Sequence, residues 1–202
     1  MEIILNQIGR RYNFNWIFKN INQEIAFSDK LVILGANGSG KSTLMQILSG
    51  AISPSEGSIK WSINDQEIVP EKVYQHLSFA SPYLELIEDF TLREHLNFHF
   101  SLKKSIHQLT IHEMISLSGL QHASDKRIGY FSSGMKQRVK LLLAILSDTP
   151  FLLLDEPLSN LDKQASNWYT DLINRFSENR TIIVSSNNIE QEYQFCNKSI
   201  QL

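Results

Sequence analysis

The sequence has little of what marks secreted, membrane-spanning or DNA-binding proteins. Its 202 residues include one cysteine, Cys196, which excludes an internal disulfide and is typical of a reducing compartment. The longest apolar runs, such as LLLAIL at 141–146, are too short to cross a bilayer. The N-terminus lacks the pattern of a signal peptide. We therefore expect a cytoplasmic protein that reaches the cytoplasmic side of a membrane only through a partner.

The charge balance argues against nucleic acid as a partner. With 19 basic and 21 acidic residues the net charge is -2, whereas a duplex-binding domain usually carries a basic excess. Hydrophobic residues make up 42% of the chain and charged residues 20%, which is typical of a globular protein. The length favours one domain over residues 1–202.

Strand and helix patterns alternate along most of the chain. Short strand patterns, among them EIILNQI, QEIAFS, KLVILG, GSIKWSI and HLSFAS, fill the first part around a helix at about 41–48. A helix at 133–147, the strand FLLLD, a helix at about 164–178 and the strand TIIVSS close the chain. This alternation predicts an α/β fold with a mainly parallel sheet.

The middle of the chain has a different, helical character. Thr91 with Glu94, and Thr110 with Glu113, have the spacing of capping boxes, in which hydroxyl and carboxylate bind the free amides of a first helical turn. We therefore predict a small helical subdomain at 84–128. The α/β core then comprises residues 1–83 and 129–202.

A glycine-rich motif lies in VILGANGSGKSTLMQILSG, residues 32–50. It fits G-x-x-x-x-G-K-[ST] in full, between an apolar strand and a helix. Its backbone amides and helix N-terminus suit phosphate, its lysine adds a mobile cation, and the Ser42 hydroxyl suits Mg²⁺. The plain alternative is a glycine-rich turn with an exposed lysine. The sequence favours ATP binding by Gly35, Asn37, Gly38, Ser39, Gly40, Lys41, Ser42 and Thr43.

Two acids end the later apolar strand FLLLDEP. Ligands bind at the carboxyl ends of strands in open α/β sheets, so Asp155 and Glu156 are expected beside the phosphate loop. Asp155 is the candidate metal ligand. Glu156 is the candidate catalytic base that accepts a proton from water. By themselves, two acids after a strand could equally form a solvated turn.

The segment YFSSGMKQRVKLLLAIL stands directly before FLLLDEPLSNLD. With these motifs in this order, the chain resembles the nucleotide-binding subunit of ABC transporters over almost its whole length. The resemblance implies a P-loop NTPase core with an N-terminal antiparallel β portion and a helical subdomain. It also implies ATP and Mg²⁺ as cofactors. The expected partners are a second cassette, in a homodimer or heterodimer, and a separate membrane-spanning subunit.

In this family two cassettes pair head to tail. The resemblance implies that Ser132 and Gly134 of one cassette contact the γ-phosphate held by the other. The alternative is that Ser132 and Ser133 only cap a helix. Residues 159–162, SNLD, match the segment that links the two sites.

Further positions correspond to sites that the family uses for the adenine base and for hydrolysis. Tyr12 lies where an aromatic ring stacks on adenine, although Phe14 and Trp16 compete for that assignment. Asn187 stands where the family usually has a catalytic histidine, and Ser81 or Pro82 stands where it has a glutamine. We therefore expect slow hydrolysis that powers transport. The alternative is a regulatory module with weak or no turnover, and a role on ribosomes or DNA ranks last.

Overall fold

The computed structural model describes all 202 residues, which form two units. The sheet unit comprises Met1–Phe79, Thr149–Glu156 and Glu178–Leu202. The helical unit comprises Ala80–Asp148 and Pro157–Ser177. The helical subdomain at 84–128 and the other domain boundaries given above stay a prediction.

The strands are, in chain order, β1 Glu2–Tyr12, β2 Asn15–Ile25, β3 Lys30–Leu34, β4 Glu56–Ile63, β5 Gln66–Ile68, β6 Leu77–Ala80, β7 Phe151–Asp155, β8 Thr181–Ser186 and β9 Lys198–Gln201. The helices are α1 Lys41–Leu48, α2 Leu92–Leu102, α3 Ile111–Ser118, α4 Ser133–Leu146, α5 Lys163–Phe176 and α6 Glu190–Tyr193. None of them combines the length and the apolar character that a membrane crossing needs.

The strands form two sheets. One is four-stranded, in the order β2-β1-β4-β5, and its pairs are antiparallel. The other has the order β6-β7-β8-β3-β9, and β7 with β8, β8 with β3 and β3 with β9 are parallel pairs. The predicted α/β class, with its antiparallel β portion, is confirmed.

The core of the sheet unit anchors the strand and helix that flank the phosphate loop. Apolar residues of β3, α1, β1 and β7 share one buried cluster, which includes Leu31, Ile33, Leu44, Met45, Ile47, Leu48, Ile3, Leu5, Ile8, Phe151 and Leu153. Full burial of each such side chain contributes about 1.5–3 kcal/mol relative to exposure. Both ends of the phosphate loop are therefore held by well-packed elements.

Both capping boxes predicted for the middle of the chain are present. The Thr91 hydroxyl accepts from the Glu94 amide, and the Glu94 carboxylate accepts from the Thr91 N–H. Thr110 and Glu113 repeat this arrangement at the start of α3. The hydrogen bonds from the threonine backbone and hydroxyl lower the pKa of each glutamate, because they stabilise the ionised carboxylate.

One predicted strand, QEIAFS at 23–28, is wrong in its second half. Strand β2 ends at Ile25, and the chain then turns, with the Ala26 N–H donating to Asp29 Oδ2 at 2.7 Å. Ser28 adopts a φ of 65°, which lies in the left-handed region and not in the extended region of a regular strand. The apolar character of Ala26 and Phe27 concealed this turn.

A half-buried histidine makes the helical unit sensitive to acid. His99 Nε2 lies 2.9 Å from the Ser147 hydroxyl, and burial, helped by the charges of Lys103 and His95, lowers the pKa of His99 to about 4. The unfolded chain therefore binds this proton first as pH falls. Stability is fully present above about pH 6.5 and declines down to about pH 4, by at most about 1.4 kcal/mol per pH unit.

We predict that His99→Asn reduces this acid dependence, because the amide does not titrate. Urea unfolding at several pH values from 7.5 to 4.5 measures it. The control is the same change at the exposed His112, which should retain the wild-type dependence. An unchanged pH profile in His99→Asn would contradict the assignment.

Candidate functional site

The phosphate loop, residues 35–40, joins β3 to α1 and needs glycine at its end. Gly40 has a φ of 103°, in the left-handed region. A Cβ there would lie 2.4 Å from Ile17 Cγ2 and 2.9 Å from Phe18 Cδ1. Glycine thus permits both the turn and the close approach of β2. The remaining predicted loop residues lie in the loop or the first turn of α1, namely Asn37, Gly38, Ser39 and Thr43.

Lys41 is 4% exposed, and its ammonium is surrounded by oxygen atoms. Nζ donates to the Gly35 carbonyl at 2.9 Å and to the Ala36 carbonyl at 3.2 Å. It also donates to Asn187 Oδ1 and lies 3.6 Å from Glu156 Oε1. The loop carbonyls, an amide and a carboxylate together offset the cost of burying this charge.

Asp155 ends β7 with its side chain beside the start of α1. It is 1% exposed, and its Oδ1 accepts from the Ser42 hydroxyl at 3.3 Å and from the Ser185 hydroxyl. A carboxylate and a hydroxyl next to a phosphate loop are oxygen ligands of the kind that Mg²⁺ prefers. The residues present therefore fit a Mg²⁺–nucleotide.

Glu156 follows directly and has a strained backbone. Its φ of 44° is in the left-handed region, which costs a residue with a side chain about 1–3 kcal/mol. Its N–H donates to the Ser185 carbonyl at 3.1 Å, and Asn187 Nδ2 donates to its Oε1 at 3.0 Å. The Glu156 side chain remains 25% exposed, so water can reach the carboxylate.

The aromatic residues near the β1–β2 turn differ in how they are covered. Lys19 Nζ lies 3.9 Å and Arg11 Cζ 5.4 Å from the Trp16 ring centre. Phe14, in the turn, is 93% exposed. Tyr12 is exposed, and one cation, Arg10, lies 4.7 Å from its ring centre. Which of these rings stacks on adenine stays a prediction.

Ser132 and Gly134 lie in the helical unit. The Ser132 hydroxyl accepts from the Met135 N–H at 3.2 Å, so Ser132 is the N-cap of α4, and Ser133 is the first residue of the helix. A pocket of about 300 Å³ opens here, lined by residues of the signature segment, FSSGM at 131–135, and of the SNLD segment, including Ser132, Gly134, Asn160 and Asp162. A Cβ at Gly134 would lie 2.9 Å from the Asn160 carbonyl, so the segments are in close contact.

The sheet unit thus brings together five of the residues singled out by sequence: Lys41, Ser42, Asp155, Glu156 and Asn187. Sequence reasoning missed Ser185, which contacts Asp155. The sequence feature that could have identified it is the pair of serines at the end of the otherwise apolar strand β8.

A family model described as ABC transporter matches residues 18–159, which include the phosphate loop, the signature segment and both acids. The chain belongs to the ABC transporter family. It is 30% identical over 201 residues to YxlF, an uncharacterised ABC transporter ATP-binding protein of Bacillus subtilis, covering 97% of this chain and 66% of that one. The Nod factor export ATP-binding protein I of Burkholderia orbicola is 26% identical, with the same coverage. The cassette spans just under two thirds of both relatives.

Solved structures agree on the fold of this ABC protein. A dimeric bacterial ABC transporter cassette superposes with a TM-score of 0.83 at 22% identity, covering 99% of this chain and 94% of that one. A dimeric post-hydrolysis cassette bound to ADP and Pi gives 0.83 at 21% identity, with the same coverage. The predicted P-loop NTPase fold and the resemblance are both confirmed.

We predict that Lys41→Ala weakens Mg²⁺–ATP binding by about tenfold or more, because charge-assisted bonds to the outer phosphates are lost. Calorimetry measures the affinities. Lys72→Ala removes the same charge from an exposed position and should bind like wild type. Equal affinities for wild type and Lys41→Ala would refute the phosphate-loop assignment.

Proposed function

We propose that this chain binds and hydrolyses ATP to power an ABC transporter, together with a separate membrane subunit. The observation that carries the proposal is the convergence of Lys41, Asp155 and Glu156 at one edge of the parallel sheet. These groups supply a cation for phosphates, a metal ligand and a base, which are the parts that phosphoryl transfer to water needs.

ATP binding follows from the phosphate loop. Backbone amides of residues 35–40 and the N-terminus of α1 hold the phosphate oxygens. The Lys41 ammonium exchanges its contacts with the loop carbonyls for the outer phosphates. Ser42 and Asp155 would hold Mg²⁺, which neutralises phosphate charge when bound. Tyr12 stacks on the adenine base, since an aromatic ring offers a flat apolar face.

Hydrolysis is assigned to Glu156. A water oxygen attacks the γ-phosphorus, its proton passes to the Glu156 carboxylate, and the bond from the γ-phosphorus to the β–γ bridging oxygen breaks to release ADP and phosphate. Asn187 holds this carboxylate through Nδ2 and contacts Lys41 through Oδ1. An amide does not gain a positive charge near neutral pH, as histidine can. We therefore propose slow hydrolysis.

A second cassette completes the site. Ser132 and Gly134, at the N-terminus of the 14-residue helix α4, bind the γ-phosphate held by the partner cassette. Ser132 is exposed, so its hydroxyl and the adjacent helix amides are available to another chain. Two similar solved structures are dimers of cassettes, which supports this arrangement, as a homodimer or a heterodimer.

The membrane subunit is proposed to dock near residues 81–86. A pocket of about 580 Å³ in the helical unit is lined by Pro82, Tyr83, Leu84, Glu85, Leu86, Glu88, Lys136 and Lys140. Tyr83 is 80% exposed and Leu84 is 43% exposed. Such apolar exposure beside charged groups is typical of a protein-binding surface. The docked cassette would lie on the cytoplasmic side of the membrane.

We predict that Glu156→Gln retains ATP affinity and lowers turnover at least about 100-fold, because the amide keeps the size of the side chain but is a poor base. Phosphate release and calorimetry measure the two properties. The matched control is Glu178→Gln at an exposed position, which should hydrolyse ATP like wild type. Equal turnover in wild type and Glu156→Gln would exclude Glu156 as the base. No turnover in wild type with its membrane subunit would favour the regulatory module.

We predict that Ser132→Arg abolishes ATP-dependent dimerisation, because a bulky side chain and an altered N-cap occupy the surface that faces the partner's phosphate. Light scattering with ATP on the Glu156→Gln background, where hydrolysis is slow, measures the mass. Ser116→Arg adds the same charge at an exposed position of α3 and should dimerise normally. Undiminished dimerisation of Ser132→Arg would show that the two chains do not share sites.

A further inference from the structure

Ser185 makes a contact that none of the functions above assigns. It is fully buried and lies directly opposite Asp155 in the parallel pairing of β7 with β8. Side chains paired in this way leave the sheet on the same face. The Ser185 hydroxyl donates to Asp155 Oδ1, the same oxygen that accepts from Ser42. Two hydroxyls from different elements therefore converge on one carboxylate oxygen.

The fold itself gives no reason for serine at this position. The preceding residues of β8, Ile182, Ile183 and Val184, are fully buried and apolar. β-branched apolar residues suit such a strand better than serine. Valine at 185 would leave the buried Asp155 carboxylate with fewer hydrogen-bond donors, which is costly. The serine is therefore explained by the acid beside it.

We propose that Ser185 is a positioning residue that orients the Asp155 carboxylate toward the Mg²⁺ of the bound nucleotide. This inference rests on the proposed function. Ser42 is assigned both to the metal and to Asp155, whereas Ser185 is held in the sheet and contacts the carboxylate alone. It contacts the Asp155 side chain from the neighbouring strand β8, whereas Ser42 contacts it from the first turn of α1. Partners of this kind tune metal affinity through the ligand they hold.

The test is the free Mg²⁺ concentration that gives half-maximal enhancement of ATP binding, measured by calorimetry in Mg²⁺ buffers. We expect Ser185→Ala to raise it about tenfold. ATP affinity in EDTA should stay within about twofold of wild type, because the phosphate loop is intact. Ser185→Thr keeps the hydroxyl and should restore most of the Mg²⁺ response. Mn²⁺ binding to the ATP complex, followed by electron paramagnetic resonance, reports the same change without turnover.

Ser186→Ala is the matched control. Ser186 is also buried, but its hydroxyl donates to Glu192 and accepts from the Ile189 N–H. Its loss should lower the melting temperature and leave the Mg²⁺ midpoint unchanged. This variant separates the cost of losing a buried hydroxyl from an effect on the metal. If Ser185→Ala does not fold, Ser185→Cys, with a similar volume and only a weak S–H donor, takes its place with the same expectation.

The outcomes distinguish the two proposals. If Mg²⁺ enhances ATP binding by the wild type and Ser185→Ala has the same Mg²⁺ midpoint, the role of Ser185 is overturned. The proposed function then still stands. Loss of ATP binding by Ser185→Ala in EDTA also overturns the role of Ser185, because the residue would then only support the fold. A wild type that binds ATP equally with and without Mg²⁺ contradicts the proposed function itself.

Discussion

One backbone hydrogen bond, at the end of two buried strands, fixes the geometry on which the site depends. The Glu156 N–H donates to the Ser185 carbonyl at 3.1 Å, one residue beyond the paired Asp155 and Ser185. It is a ladder bond of the last pair of β7 with β8, Asp155 with Ser185. A slip of one residue would turn every side chain to the opposite face. Asp155 would then lose Ser42, and Glu156 would lose Asn187. The acids are placed by strand pairing rather than by their own flexible side chains.

Lys41 links this edge to the nucleotide. A buried cation is tolerated only where oxygen atoms surround it, and here the loop carbonyls, Asn187 and Glu156 provide them. In the proposed function, phosphate binding exchanges these partners for others and does not bury a new charge. Asn187 contacts Lys41 with one end of its amide and Glu156 with the other. The Asn187 side chain therefore contacts both the cation proposed to bind phosphate and the carboxylate proposed as the base.

Local signals made much of this structure predictable. The two capping boxes and the strand–loop–helix context at Lys41 depend on neighbouring residues, so the sequence alone identified them. Contacts across the sheet were not predictable in the same way. Predicting the Ser185 contact requires knowledge that β7 and β8 are neighbours and of their register. The turn at Ser28 shows in addition that an apolar run can conceal a turn. Pairing between distant segments leaves no local pattern in a single sequence.

The backbone at Glu156 has a consequence for protein engineering. The left-handed backbone at Glu156 is unfavourable for a residue with a side chain. Pro157 adds a second cost, because proline favours an extended backbone in the residue before it. Glycine would relieve most of this cost, whereas the proposed chemistry needs a carboxylate. Screens that reward thermal tolerance alone should therefore enrich glycine at position 156 and select stable proteins without activity. Stability and catalysis make opposing demands on this one residue.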